Sequence, residues 1–393
     1  MPVLRALPLA SGPALAESFS DLVAMAAGAR CYLPVTDDPC APDRQLLESS
    51  LAVGTEVDDP EACLVIATSG STGEPKGAVH TPATLAASAD ATHARLGGTG
   101  NWLLALPAHH IAGLQVLLRA LRAGFTPAIA DLSGGFDAER FARDVSMLRG
   151  PRRYTSLVPT QLAAVLASRT ATAAVAELDA VLVGGAATPP ALAARAIDAG
   201  IPMVRTYGMS ETGGGCVYDG RPLDGVTVDI LDGRVVLSGP MIAHGYRNRP
   251  DDPAFALPGS FRTDDLGRLD DGVLSIVGRA DDAISTGGLT VAPRVVEEVL
   301  LDDPAVAECA VVGVPDERLG QQVVAAVVAV PGRHPAPEAL RERVATRVHR
   351  YAAPRRILVV DALPLRGPGK VDRRAVRNLL SSVGDGAEPA TVD

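Results

Sequence analysis

Short apolar runs separated by long alanine-rich stretches constrain this chain more than any other feature. Cys63–Ala67, Trp102–Leu106, Ser156–Val158 and Ala180–Val183 read as strands, and the stretches between them have helical composition. That rhythm predicts an α/β body. Ahead of it, Leu15, Phe19, Leu22, Val23 and Ala26 recur at helical spacing up to Gly28, which predicts an amphipathic helix with a glycine stop. Behind it the pattern changes. Val226–Leu231 and Arg234–Leu237 flank Asp232-Gly233, a two-residue hairpin signal that opens a β-rich section. From about Gly278 a third pattern begins: helix-like Pro293–Leu300, strand-like Cys309–Val314 and Gln322–Val330, then helix-like Pro337–Arg350.

At 393 residues the chain exceeds one ordinary core, which stops growing at roughly 250 to 300 residues. The expected architecture is a large N-terminal α/β domain with a β-rich subdomain, residues 1–280, and a small mobile C-terminal α+β domain, residues 281–380. The tail 381–393 carries few bulky hydrophobes and is expected to be disordered. A net charge of −10 argues against a nucleic-acid partner, which selects a basic face. Any anionic ligand must then be held by a local site. The longest apolar stretch, Val323–Val330, is far below the roughly 18 residues that span a bilayer, so no membrane insertion is expected. The five cysteines form no C-x-x-C pair, which favours a reducing, cytoplasmic setting. Arg5 followed by Ala6-Leu7-Pro8-Leu9-Ala10 has a trace of leader character, but Pro8 and Pro13 interrupt a very short run.

The segment Thr68-Ser69-Gly70-Ser71-Thr72-Gly73-Glu74-Pro75-Lys76-Gly77 follows the first strand directly. Its glycines let the backbone curl with N–H groups inward, its hydroxyls add donors, and Lys76 adds a mobile positive charge. These are the requirements of a polyphosphate cradle. Lys76 precedes Gly77 rather than Ser or Thr, so this is not the loop of a P-loop kinase or NTPase. Thr81-Pro82 reads as the N-cap and first turn of a later helix, leaving the helix dipole out of the binding. The competing reading is a flexible Gly/Ser surface loop.

This segment resembles the signature loop of the acyl-adenylate-forming superfamily of acyl-CoA synthetases, luciferases and peptide-synthetase adenylation domains. Further motifs follow in that superfamily's order as far as residue 372. Gly184-Gly185-Ala186 resembles the turn that contacts adenine. Tyr207-Gly208-Met209-Ser210-Glu211-Thr212 resembles the motif whose ring stacks on adenine, whose hydroxyl meets the α-phosphate, and whose glutamate holds Mg²⁺. Phe261–Arg268 resembles the ribose motif, with Asp265 at its carboxylate. Gly278-Arg279-Ala280-Asp281-Asp282 resembles the interdomain hinge, centred on Asp281. Gly367-Pro368-Gly369-Lys370-Val371-Asp372 resembles the motif of the C-terminal catalytic lysine.

The resemblance implies a ligase that takes a carboxylate, ATP and coenzyme A, with Mg²⁺. Lys76 and the loop would hold the leaving pyrophosphate, Glu211 the metal, and Lys370 the carboxylate and α-phosphate. Asp265 would take the ribose hydroxyls, with Arg279 beside them, and Thr286-Gly287-Gly288 would line the pantetheine channel. His110, next to His109, and Gly113 would face the acyl pocket. A histidine pair suggests metal, but adjacent residues on an extended segment point oppositely. Leu106–Arg119, Ser156–Leu162 and Ile284–Val291 are similar to a branch whose acid bears a second carboxylate. Arg152, Arg153 and Arg205 are candidate partners for it, and each also reads as a surface charge. Only 67 residues precede the loop, fewer than the superfamily's usual number, which weakens the expectation of a homodimer. A non-catalytic nucleotide-binding protein on the same fold is the reading of a different class, against which Lys76, Glu211 and Lys370 stand together.

Overall fold

The computed structural model describes residues 1–68, 75–365 and 371–382. Contact density divides the chain into two units. One is Met1–Thr263 with Leu269–Ser275, and the other is Asp264–Arg268 with the residues from Ile276 onward.

The first unit opens with a four-stranded sheet in the order β1 (Leu4–Leu9), β2 (Cys31–Thr36), β3 (Leu64–Thr68), β4 (Lys76–His80). β1 and β2 are parallel, joined through a 3₁₀ turn at Gly12–Ser18 and helix α1 (Phe19–Ala26), and α2 (Pro42–Ser50) leads on toward β3. The run with leader character is therefore a strand, with Leu4, Leu7 and Leu9 buried. The helix expected up to Gly28 begins as 3₁₀ and becomes α-helical only at Phe19. Gly28 stands just past its end at φ +73°, a left-handed position that glycine adopts without steric cost.

The second sheet comprises β5 (Asn101–Leu104), β6 (Ala128–Ile129), β7 (Arg153–Leu157), β8 (Ala180–Val183), β9 (Met203–Met209), β10 (Gly214–Tyr218) and β11 (Arg221–Pro222), in the order β11-β10-β9-β8-β7-β5-β6. β9, β8, β7, β5 and β6 run parallel. Its helices are α3 (Pro82–Arg95), α4 (Ile111–Arg122), α5 (Ala138–Met147), α6 (Pro159–Ala167), α7 (Arg169–Ala176) and α8 (Pro190–Asp198). Side chains alternate across a strand, so Leu103 joins the core made with Phe141, Val145, Leu162 and Val175. Trp102 points the other way, toward Tyr154 at 4.9 Å between rings and His93 on α3. Thr81 caps α3 in a reciprocal pair of hydrogen bonds with Thr84, where the sequence placed the helix start.

A third sheet has the order β12 (Thr227–Leu231), β13 (Arg234–Ser238), β14 (Ser260–Asp270), β15 (Val273–Arg279). Leu231 pairs with Arg234, and Asp232 and Gly233 both have positive φ, +51° and +77°, as the Asp-Gly hairpin predicts.

The second unit holds β16 (Ile284–Thr286), β17 (Leu289–Val291), α9 (Pro293–Leu301), β18 (Val306–Asp316), β19 (Gly320–Ala329), α10 (Pro337–Arg347), β20 (Arg356–Val360) and α11 (Arg373–Ser382). The period of two splits its sheet between two cores. Val311, Val323, Ala325 and Val327 pack with Val296, Leu300, Leu340 and Val344. Ala310, Val312, Val324 and Ala326 pack with Val376 and Leu380 of α11. Burial on both faces explains why Val323–Val330 reads as one unbroken apolar run. α11 continues to Ser382, two residues into the expected tail, and the rest of that tail lies outside the described residues.

Candidate active site

β3 and β4 are the two arms of a hairpin in which Thr68 pairs with Lys76. The cradle residues Ser69, Gly70, Ser71, Thr72 and Gly73 lie between them, outside the described residues. Asn248 holds the near end: its Nδ2 donates to the Pro75 carbonyl at 3.0 Å and its Oδ1 accepts from the Gly77 N–H at 3.3 Å. Lys76, expected to be mobile, is held in place. Its Nζ is 3.1 Å from Asp252 Oδ2 and 4.6 Å from the centre of the Tyr246 ring. Asp252 is available for this because its other oxygen, Oδ1, caps the 3₁₀ turn Pro253–Phe255.

Tyr246 connects Lys76 to the second motif. Its hydroxyl donates to Glu211 Oε1 at 2.6 Å, and Glu211 is 6% exposed. The backbone around Glu211 is fixed from several sides. Ser210 Oγ donates to the Ala67 carbonyl of β3 at 3.1 Å. His80 Nε2 lies 2.7 Å from the Ser210 carbonyl, and His80 Nδ1 lies 3.0 Å from Thr84 Oγ1. A carbonyl only accepts, so Nε2 carries the proton and Nδ1 accepts from the hydroxyl. Burial lowers the His80 pKa to about 4, and the ring is neutral at pH 7. Tyr207 stands half-buried on β9. Behind it Gly208 pairs with Gly215 of β10, and a Cβ on Gly208 would stand 2.1 Å from the Gly214 carbonyl oxygen. The obstacle is backbone and cannot rotate away, so Gly208→Ala should lower the denaturant-unfolding free energy by about 1–3 kcal/mol.

Gly184-Gly185-Ala186 forms the turn at the C-terminal end of β8, with the Gly184 N–H donating to Leu157 of β7. Tyr207 and Glu211 lie at the corresponding end of β9. Ligands of open α/β sheets occupy this edge. Past β5, the chain turns through Pro107–His110, and His110, exposed, becomes the N-cap of α4. The expectation that His109 and His110 point oppositely fails here. Their ring centres are 4.4 Å apart, because the segment is a turn and not an extended strand. Among the described residues no cluster of three or more His, Cys, Asp or Glu could hold a metal ion. A single buried carboxylate, Glu211, suits Mg²⁺, which keeps waters and substrate phosphates as its other ligands. Gly113 is required by packing, since a Cβ there would stand 2.3 Å from the Pro107 carbonyl oxygen. The surface arginines are occupied: Arg152 lies 3.8 Å from Asp179, Arg205 lies 3.1 Å from Asp219, and Arg153 donates to the Glu177 carbonyl.

The second unit brings Asp264, Asp265, Arg279 and Asp281, among them the residues expected at the ribose and the hinge, into one charge cluster. Arg279 makes a forked pair with Asp281 at 2.9 and 2.8 Å, and reaches Asp265 at 3.4 Å and Asp264 at 3.7 Å. Burial pulls its pKa down, but the three carboxylates outweigh that and raise it. Asp282, whose pKa burial raises, instead faces Arg373 at 3.2 Å. Arg373 also forks onto Glu297. Lys370 lies outside the described residues. The chain is pinned on both sides of it, by a bridge between Leu365 and Val371 and by Asp372, which accepts from the Arg374 and Ala375 N–H groups at the start of α11. Thr286-Gly287-Gly288 belongs to the β16–β17 hairpin, in which Gly287 and Gly288 have φ of +55° and +80° and Thr286 is buried. The turn alone requires both glycines.

Sequence reasoning missed His80, Tyr246 and Asp252. Asp252-Pro253 carried a turn-start signal, but nothing local joined it to Lys76. Tyr246 meets Glu211 from 35 residues away, and no spacing rule reaches that far.

The chain matches known proteins over most of its length. The AMP-binding enzyme family matches residues 20–247, and the AMP-binding enzyme C-terminal domain matches residues 295–370. The chain is 54% identical to the probable 2-succinylbenzoate–CoA ligase of Mycobacterium tuberculosis over 84% of its own length and 87% of that protein's. It is 33% identical to the 2-succinylbenzoate–CoA ligase of Bacillus cereus, over 82% and 71%. The fold superimposes on o-succinylbenzoate CoA synthetase from Bacillus subtilis, solved with its acyl-adenylate intermediate. The TM-score is 0.80 at 24% identity, covering 98% of this chain and 89% of that one. No helix among the described residues is long and apolar enough to cross a membrane. With both family domains in order and a relative matched over most of both chains, this protein is a member of the AMP-binding enzyme family, the acyl-adenylate-forming superfamily that its motifs resemble.

Proposed function

We propose that this chain is a 2-succinylbenzoate–CoA ligase acting in the cytoplasm. The observation that carries the reading is the 54% identity, over most of both chains, to the M. tuberculosis protein of that name. In the first step a carboxylate oxygen of the acid attacks the α-phosphorus of ATP, the bond to the β-phosphate oxygen breaks, and pyrophosphate leaves. In the second, the sulfur of coenzyme A attacks the acyl carbon, AMP leaves, and the thiol proton is released. Both partners of the first step are anions, so the site must supply positive charge where negative charge develops.

Lys76, at the end of the phosphate hairpin, is the cation for the pyrophosphate. Asp252, 3.1 Å from its Nζ, positions it. Glu211 is the carboxylate that would hold Mg²⁺, and the metal, when bound, neutralises phosphate oxygens. Tyr246 holds Glu211 by hydrogen bond. Tyr207 supplies the ring and Gly184–Ala186 the backbone edge for adenine. Asp265 takes the ribose hydroxyls with Arg279 beside it, and Lys370 bridges the carboxylate and α-phosphate. Asp281 is the hinge, Thr286–Gly288 line the thiol channel, and His110 and Gly113 belong to the acyl pocket.

The test is pyrophosphate release from ATP with 2-succinylbenzoate, benzoate or medium-chain fatty acids, with and without coenzyme A. Selective turnover of 2-succinylbenzoate to its CoA thioester is expected. Lys370→Ala should lower adenylation about a hundredfold, the loss typical of removing one charge-stabilising donor. Preference for another acid would keep the chemistry and change the substrate. Absence of acyl-AMP with every acid would leave the non-catalytic reading.

A further inference from the structure

The cation assigned to the phosphates has an anion of its own. Lys76 Nζ lies 3.1 Å from Asp252 Oδ2, with side-chain exposures of 20% and 12%, so solvent screens the pair only in part. The carboxylate is the fixed member. Its Oδ1 accepts from the Ala254 N–H at 3.1 Å. The Asp252 N–H donates to the Arg249 carbonyl at 3.1 Å, and the Asp252 carbonyl accepts from the Phe255 N–H at 3.0 Å. Phe255 packs edge-on against Tyr246 at 5.0 Å between ring centres, and the same Tyr246 ring lies 4.6 Å from Nζ. The backbone of Lys76 is held as firmly, by Thr68 across the hairpin and by the Asn248 amide on both neighbouring residues. What can move is the four-carbon stem of the lysine.

An ammonium on such a stem, between a fixed carboxylate and a phosphate-binding hairpin, serves two anions. It either leaves one for the other or shares its three N–H donors between them. Exchange gives up the ion pair, and sharing brings two anions close enough to repel. In both cases the carboxylate weakens the hold on phosphate. We propose that Asp252 acts through Lys76 as a positioning residue for pyrophosphate release: it takes the ammonium back from the leaving pyrophosphate, so that adenylation does not run backward. The inference rests on the assignment of Lys76 to the pyrophosphate above. The exchange breaks a hydrogen bond from Nζ to a pyrophosphate oxygen and makes one to Asp252 Oδ2, with no proton transferred. Removing the carboxylate charge should therefore strengthen pyrophosphate binding, whereas losing a carboxylate that only supports the fold would weaken it.

The experiment measures the dissociation constant of pyrophosphate, with Mg²⁺ present, by calorimetry. The proteins are the wild type, Asp252→Asn, Asp252→Ser, Lys76→Met and the double variant Lys76→Met/Asp252→Asn. Asn and Ser both keep an oxygen for the Ala254 N–H and remove the charge. Each should bind pyrophosphate about tenfold more tightly than the wild type, and pyrophosphate should inhibit turnover at correspondingly lower concentration. Asp252→Ser decides the matter if Asp252→Asn does not fold. In the Lys76→Met background, Asp252→Asn should leave binding unchanged, because the carboxylate acts through the ammonium. Unchanged or weaker binding in the single Asp252 variants would make Asp252 a structural cap, and equal tightening with and without Lys76 would make it a repulsive charge at large; both overturn the proposal. Lys76→Met binding pyrophosphate as tightly as the wild type is the separate result that removes the assignment of Lys76 itself, and the proposal with it.

Discussion

Glu211→Gln is expected to lower pyrophosphate release by about three orders of magnitude while leaving the melting temperature nearly unchanged. Gln is isosteric with Glu, and its amide oxygen still accepts the hydrogen bond from Tyr246, which now measures 2.6 Å. What disappears is the negative charge that would hold Mg²⁺ against the phosphates. Metal stabilisation of developing charge contributes several kcal/mol, and about 4 kcal/mol corresponds to roughly a thousandfold in rate. Tyr246→Phe isolates the positioning contribution. It removes a neutral donor to the carboxylate and leaves the charge of Glu211 in place, so a loss of about tenfold is expected. Raising Mg²⁺ should restore part of the Glu211→Gln loss and none of the Tyr246→Phe loss. Glu211→Gln activity within tenfold of wild type would show that the carboxylate is structural.

The second large effect is on stability in acid. His80 and His93 are both buried, and each has its pKa lowered from 6.5 to about 4. Burial is the main cause for both, and the positive charge of Arg119 adds to it at His93. Both rings have their neutral tautomers fixed: His80 Nε2 donates to the Ser210 carbonyl, and His93 Nε2 accepts from Trp102 Nε1 at 3.3 Å. Above pH 6.5 neither state binds the proton and nothing is lost. As the pH falls from 6.5 toward 4 the unfolded chain takes up protons that the folded chain refuses, so stability declines across that window. The depressed pKa values correspond to about 3 kcal/mol for each ring, against a total stability of about 5–15 kcal/mol. Denaturant unfolding at pH 7 and pH 4.5 measures the decline. His80→Gln and His93→Gln should each remove about half of the histidine contribution. A pH slope identical to wild type in both variants would assign the acid sensitivity to carboxylates elsewhere.

How far the molecule could be read from its residues depended on the range of the interaction concerned. The hairpin at Asp232-Gly233, the cap at Thr81-Pro82 and the strand Ala180–Val183 are local matters, governed by φ preferences, capping donors and short periodicity. All three stand where expected. The apolar run near the N-terminus was harder. Leader and strand share the same composition, and pairing of β1 with β2, made across an intervening helix, distinguishes them.

The site divides along the same line. Order and spacing along the chain determined the family, the reaction and the two-part plan, because phosphate cradles, turns and caps are written in consecutive residues. Only the tertiary structure decided how the charges are paired: Lys76 with Asp252, Tyr246 on Glu211, Arg279 among three aspartates, and Arg119 buried with no carboxylate partner among the described residues. Coulombic partners and burial are set by distance in space, and residues 35 or 176 positions apart leave no local trace of the contact they will make.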